Sequence, residues 1–228
     1  MNYLIVVAHP DDEVLGAGAT IKRLTEEGNK VDVCIMSTEA RARTSRPKDD
    51  ELTTDMESSS EILGIGKTYG GTFPNIEMNT TPHLRLVQFI ENVIIDSRPD
   101  IVITHHAGDT NNDHLHTSAA CQAAIRIFQR RNDVKPINEL WFMEVLSSTE
   151  WNVNSSRNAF TPNLFVEVGS ERIEKKIEAL SMYRGVMREY PHPRSAEAIK
   201  GLAAYRGTQA HCNYAEAFEC AFRRISKN

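Results

Sequence analysis

Residues 3–8, Tyr-Leu-Ile-Val-Val-Ala, form an apolar run with no polar interruption. A strand with one wet face alternates apolar and polar side chains. A continuous run of this kind reads as a strand covered on both faces. A helical pattern over residues 11–27 follows, closed by Gly28, and the alternation then repeats. Strands are expected at 31–37, beginning again at 68–71, and at 100–104. Helices are expected at 49–63, closed by Gly64, at 82–97 with Pro82 near the first turn, and at 113–130. Further strands are expected at 139–146 and 163–168, with helices at 171–190 and 197–210 and a last helical piece at 216–225. Alternating βα units dictate a parallel sheet with helices on both faces. The expected fold is therefore α/β: a Rossmann-like, three-layer α/β/α arrangement around a mostly parallel sheet. Such sheets bind ligands beyond the carboxyl ends of their strands, where the strand order reverses. In the common orders strands one and four flank that reversal, so the active site is expected at the C-terminal ends of these two strands.

A chain of 228 residues fits one domain, residues 1–228, able to bury a core without staples. The formal net charge is −5, which argues against nucleic acid or an anionic membrane surface as the main partner. No apolar run approaches the roughly 18 to 20 residues of a membrane span. Residues 1–8 lack the basic start and length of a signal peptide. Cys34, Cys121, Cys212 and Cys220 show no CxxC spacing, so a cytoplasmic chain without a disulfide framework is expected.

Strand one runs into His9-Pro10-Asp11-Asp12-Glu13. Strand four runs into a stretch containing His105, His106, Asp109, Asn111, Asp113, His114 and His116. Five of the eight histidines and four aspartates thus fall in two short segments at the expected ligand end of the sheet. An acidic helix start is by itself often only capping and dipole compensation, and a His-His pair is often only solvated surface. Meeting at one crevice, the two segments point instead to a metal. Imidazole and carboxylate suit zinc, and a catalytic zinc site takes three protein ligands and keeps one position open for water. His9, one aspartate of the first segment and one histidine of the second would supply the three. The neighbouring aspartate would be free to act as general base. Spacing alone does not assign the two aspartates.

The strand followed by His9-Pro10-Asp11-Asp12-Glu13, with Leu15-Gly16 and a helix after it, resembles the opening of the PIG-L/LmbE-like family of metal-dependent N-deacetylases. Asp113-His114 resembles the family's second metal motif, and 205–218 resembles its C-terminal pattern. The resemblance implies that His9, Asp12 and His114 hold one divalent ion, zinc or another, per chain. It implies that Asp11 is the general base, and that metal-activated water attacks the acetamide of an N-acylated amino sugar or a conjugate of one. Many members carry a histidine three residues before the ligand histidine, to stabilise the tetrahedral intermediate; here Asn111 stands there. Asn111 can donate a hydrogen bond but carries no charge, and His106, His105 or His116 would share the role. Many members also grip substrate with an arginine before the Leu-Gly ending of the second helix. Here Glu51-Leu52-Thr53-Thr54 lacks one, and Arg41, Arg43 and Arg46 of the preceding loop are the substitutes, with Tyr205 as a further substrate contact.

His114 and His116, two apart, would point about 200° apart on a helix, so both cannot reach one metal. Asp109 is expected to form the turn or to orient a histidine. Gly16-Ala17-Gly18 meets Ile21 where a dinucleotide fingerprint wants glycine or alanine, and Glu61 stands where a phosphate loop ending at Gly66-Lys67-Thr68 needs its first glycine. Two other functions compete. One is a phosphoesterase, which wants two metals roughly 3.5 to 4 Å apart. The other is a non-catalytic sugar-binding protein on the same fold. The sequence carries no interface signature, which leaves a homo-oligomer open.

Overall fold

The computed structural model describes residues 1–39, 48–152 and 158–225. Strands β1 (Asn2–Val7), β2 (Lys30–Ile35), β3 (Thr68–Gly70), β4 (Ile101–His105), β5 (Glu139–Met143), β6 (Leu164–Glu167) and β7 (Ala215–Arg223) form one sheet in the order β3-β2-β1-β4-β5-β7-β6. The helices are α1 (Asp12–Glu26), α2 (Asp49–Leu63), α3 (His83–Ser97), α4 (Asn112–Ala124), α5 (Gly169–Met182) and α6 (Ala196–Ala210). Pairing from β3 through β5 is parallel, whereas β7 runs antiparallel to β5 and β6.

The apolar run of β1 is buried on both faces as its composition demands. Leu4, Val6 and Ala8 join the core beneath α3 and α4. Tyr3, Ile5 and Val7 join the core beneath α1, α2 and α5. This separation into two cores is the physical content of three layers. Order reverses between β1 and β4, which pair directly with Tyr3 against Ile101 and Val6 against Thr104.

Three expectations need correction. Residues 216–225 are not helical; most of them lie in β7. The segment is rich in alanine and glutamate, and Phe218 and Phe222 are spaced four apart, which mimics a helix. Its pairing with β5 and β6 overrides that propensity. The helix expected over 113–130 ends at Ala124 and tightens into a 3₁₀ turn over Ile125–Gln129. The helix expected over 171–190 stops at Met182, and Gly185 follows with φ 73°. The stretch 183–195 is thereby freed to run back over the end of the sheet.

Candidate metal centre and its surroundings

The turn after β1 is fastened by its own side chains. His9 N–H donates to Asp12 Oδ2 at 2.9 Å, and Asp11 N–H to Glu13 Oε2 at 3.1 Å. Asp11 precedes α1 with φ 107°, a left-handed conformation uncommon for a residue with a side chain, and its carboxylate does not cap the helix. Asp12 and Glu13 occupy the first turn of α1, where the helix dipole favours anions. From β4, His105 reaches across: Ala8 N–H donates to its Nε2 at 2.9 Å. The ends of strands one and four are thus tied together.

His9, Asp12 and His114 converge, with one ligand atom from each lying within 4.8 Å of the other two. Asp12 Oδ2 lies 3.3 Å from His9 Nδ1 and 3.2 Å from His114 Nε2. The far nitrogen of each imidazole is held by a carboxylate, His9 Nε2 by Asp113 Oδ2 at 3.0 Å and His114 Nδ1 by Asp109 Oδ2 at 3.1 Å. A donated proton on that far nitrogen leaves the near one as a lone pair facing its partners, which is how carboxylates fix metal-ligating histidines. Asp113 also accepts from Ile76 N (2.6 Å) and Met78 N (3.0 Å). Asp109 accepts from Thr149 Oγ1 at 2.7 Å, from Ser148 Oγ, and from Asn111 N at 2.8 Å. Two nitrogens and one oxygen, preset in direction, match the donor chemistry of a zinc-type site.

The charges respond to one another. Burial works to lower the His114 pKa, but the Asp12 charge and the hydrogen bond to Asp109 prevail and push it up to about 10. Burial likewise works against the charged form of Asp12, yet His114 and His9 hold its carboxyl well below the usual range. Asp109 sinks to about 2 for the same reason: burial opposes the shift and His114 outweighs it. His105 goes the other way, to about 3, through burial and then the charge of His114, against which it stacks at 3.9 Å. Glu13 is raised to about 7, first by burial and then by Asp11 and Asp12, against the hydrogen bond donated by the Tyr183 hydroxyl.

His105, Asp109 and His114 also cluster. Their donors are largely taken: His105 Nε2 accepts from Ala8 N–H, which puts the proton of the neutral ring on Nδ1, unpartnered among the described residues, and Asp109 accepts from the Ser148 and Thr149 hydroxyls. This group knits the first together rather than offering a second cation its own donors.

Asn111 is the N-cap of α4, its Oδ1 accepting from Asp113 N at 2.9 Å. His106 is buried; its Nδ1 accepts from Gly108 N at 3.1 Å, its Nε2 faces Glu219 Oε2 at 3.4 Å, and its ring meets Phe160 edge-on. Tyr205 is exposed on α6, beside an Arg206 held by both carboxylate oxygens of Glu144. Arg41, Arg43 and Arg46 lie outside the described residues. Sequence reasoning missed Asp113 as the partner of His9, although its place beside His114 was the available signal. It also missed Arg194, whose NH1 donates to Asp11 Oδ2 at 3.2 Å across 183 residues, a separation for which the sequence offers no signal.

Parallel strands ending in a two-histidine, one-carboxylate cluster at the reversal of strand order define an α/β protein with a candidate metal centre. Residues 4–125 match the PIG-L family model, described as GlcNAc-PI de-N-acetylase. That is more than half of the chain, and the chain belongs to this family. It is 26% identical over 230 residues to a diacetylchitobiose deacetylase of Thermococcus kodakarensis, covering 93% of this chain and 80% of the relative. It is 31% identical over 153 residues to a 1D-myo-inositol 2-acetamido-2-deoxy-alpha-D-glucopyranoside deacetylase of Mycobacterium leprae, covering 54% of this chain and 49% of the relative. Among solved structures, the conserved protein TT1542 of Thermus thermophilus superposes with a TM-score of 0.78 at 24% identity, covering 100% of this chain and 98% of the other. At that identity the likeness is one of fold.

Proposed function

We propose that the chain is a metal-dependent N-deacetylase that hydrolyses the acetamide of an N-acetylated amino sugar or a conjugate of one. It would use one divalent ion, zinc by donor preference, held by His9, Asp12 and His114. Family membership and two deacetylase relatives support the reaction class. The observation that carries it is the placement of Asp11, one residue from the ligand Asp12, with a carboxylate not used to cap its helix. The ion, when bound, supplies Lewis acidity, lowering the pKa of a water and polarising an amide oxygen.

The chain's own residues would do the rest. Asp11 takes a proton from the attacking water as the C–O bond forms, and returns it to the nitrogen as the C–N bond breaks, giving acetate and a free amine. Asp109 and Asp113 keep His114 and His9 aimed. Asn111 has its oxygen committed to the cap, so its NH2 is the end able to donate to the developing oxyanion; His106 Nε2, the second candidate, faces Glu219 and would have to turn from it to do so. Arg41, Arg43, Arg46 and Tyr205 are the proposed substrate contacts. Among the described residues no helix is long and apolar enough to cross a membrane, and the four cysteines are free, as a cytoplasmic setting would suit.

The test combines metal content by mass spectrometry with amine release from N-acetylglucosamine and N,N'-diacetylchitobiose. About one divalent ion per chain is expected, lost in His9→Ala and His114→Ala. Asp11→Asn should keep the ion and lose about 10² to 10⁴ in turnover. Protein that holds no ion after exposure to excess divalent metal, or an Asp11→Asn variant as active as its parent, would overturn the reading.

A further inference from the structure

We infer that Arg194 is a positioning residue that aims the Asp11 carboxylate; the inference rests on the deacetylase reading above. Asp11 and Ser147 are two of the non-glycine residues with positive φ, at 107° and 76°. They follow β1 and β5 respectively, and one guanidinium joins them. Arg194 Nε donates to Ser147 Oγ at 2.9 Å and NH1 donates to Asp11 Oδ2 at 3.2 Å. A side chain that spans two left-handed residues, at the ends of the strands on either side of β4, fixes the distance between the loops that carry them.

Arg194 is itself anchored. Its N–H donates to His192 Nδ1 at 3.0 Å, its carbonyl accepts from Arg188 N at 3.2 Å, and Ser195, the next residue, caps α6 through Ala198 N. The Ser147 loop is equally constrained: Glu150 accepts from the backbone N–H of Ser147 at 2.6 Å and of Ser148 at 3.0 Å. Ser148 Oγ in turn reaches Asp109 and lies 3.3 Å from His114 Nδ1. The planar guanidinium offers donors in a fixed fork, which a lysine cannot copy. By holding Oδ2, the guanidinium sets the direction in which the Asp11 carboxylate faces. Arg194 thus acts through Asp11, and the charge it brings to that carboxylate is spent on orientation rather than on substrate. The side chain is 26% exposed, so a small cation from solvent can reach the space it fills.

The experiment is steady-state kinetics on N,N'-diacetylchitobiose, with metal content and melting temperature measured alongside, for wild type, Arg194→Ala, Arg194→Lys and Ser147→Ala. Arg194→Ala should keep its metal, lose about 10- to 100-fold in kcat with KM within about two-fold, and regain part of the loss when guanidinium is added. Arg194→Lys should fall between, and Ser147→Ala should lose less in the same direction, which keeps the test alive if Arg194→Ala fails to fold. In chelated protein, the melting-temperature losses of Arg194→Ala and Asp11→Ala should be non-additive. An unchanged kcat, a loss confined to KM, or additive melting losses would overturn the inference. Wild type that releases no amine from any N-acetyl sugar sinks the functional reading whatever the variants do. Active wild type beside fully active Arg194→Ala sinks this inference alone.

Discussion

The Nε2 atom of His9 lies 3.0 Å from Oδ2 of Asp113, a carboxylate that also accepts the backbone N–H groups of Ile76 and Met78. Three donors therefore meet one side chain, and residues 76–78, which carry no candidate ligand, steady the Asp113 carboxylate that sets the imidazole plane. Burial favours the neutral acid of Asp113, but the His9 contact and the two amides draw its carboxyl below the ordinary range, so it stays an acceptor. Asp113→Ala should weaken divalent-metal affinity by about 10- to 100-fold, measured by competition with a chromophoric chelator. Asp113→Asn should lose less, because an amide oxygen can still accept from His9. Affinity equal to wild type in both variants would show that His9 needs no partner to face the site.

The meeting of the segments that follow β1 and β4 was legible in the sequence because it follows from topology. An apolar run, two glycine-closed helices and a second apolar run fix a doubly wound sheet, and the reversal of strand order then brings 9–13 and 105–114 together. Two of the features that escaped show why. The strand at 215–223 was hidden because local propensity favoured a helix, while its partners, β5 and β6, lie far away in the chain. Arg194 was hidden for a related reason: nothing in the spacing of 183–195 records a contact with Asp11. Local pattern thus exposed the two segments that meet, and the family resemblance singled out His9, Asp12 and His114 within them, whereas the contacts that orient these side chains depend on tertiary packing.

Gly108 lies between His106 and Asp109, and a Cβ there would fall 2.2 Å from the backbone oxygen of Asn158 and 2.6 Å from Asn152 Nδ2. Asn152 Nδ2 donates to that same oxygen at 2.6 Å, so the space is already filled by a clasp. Gly108→Ala must push the clasp or the 106–109 loop aside. A loss of about 1 to 3 kcal/mol in unfolding free energy is expected, together with weaker metal binding as Asp109 moves from His114. Denaturant unfolding with and without metal checks both, and wild-type values in both would show that the loop yields freely.

The four cysteines should separate into two pairs by reactivity. Burial pushes the Cys121 thiol up to about 12 and raises Cys34 further, with the neighbouring Cys121 adding to the effect. At pH 8 a thiol with a pKa of about 12 is roughly one part in ten thousand thiolate, the reactive form. A chromogenic disulfide reagent should therefore titrate Cys212 and Cys220, both partly accessible, in the native protein, and reach Cys34 and Cys121 only after denaturation. Four fast thiols in the folded chain would contradict the buried placement of β2 and α4.

Glu216 and Lys176 form a buried pair, Nζ to Oε1 at 2.6 Å, beside the middle of α1. The pair is unequally satisfied. Glu216 also accepts from the backbone of Ala19 (3.2 Å) and Thr20 (2.6 Å), while Lys176 has one further acceptor, the carbonyl of Leu15 at 2.8 Å. Glu216→Ala would strand a buried ammonium. Lys176→Met would leave a carboxylate that still has two donors. Breaking a buried pair by removing one partner costs about 3 to 5 kcal/mol. Glu216→Ala should sit at the upper end and Lys176→Met below it, lowering the melting temperature by roughly 10 °C or more in the first case. Since Glu216 lies on β7 and Lys176 on α5, the loss would loosen the joint that seats α1 beneath the sheet. A Lys176→Met variant less stable than Glu216→Ala would show that the ammonium, not the carboxylate, organises this joint.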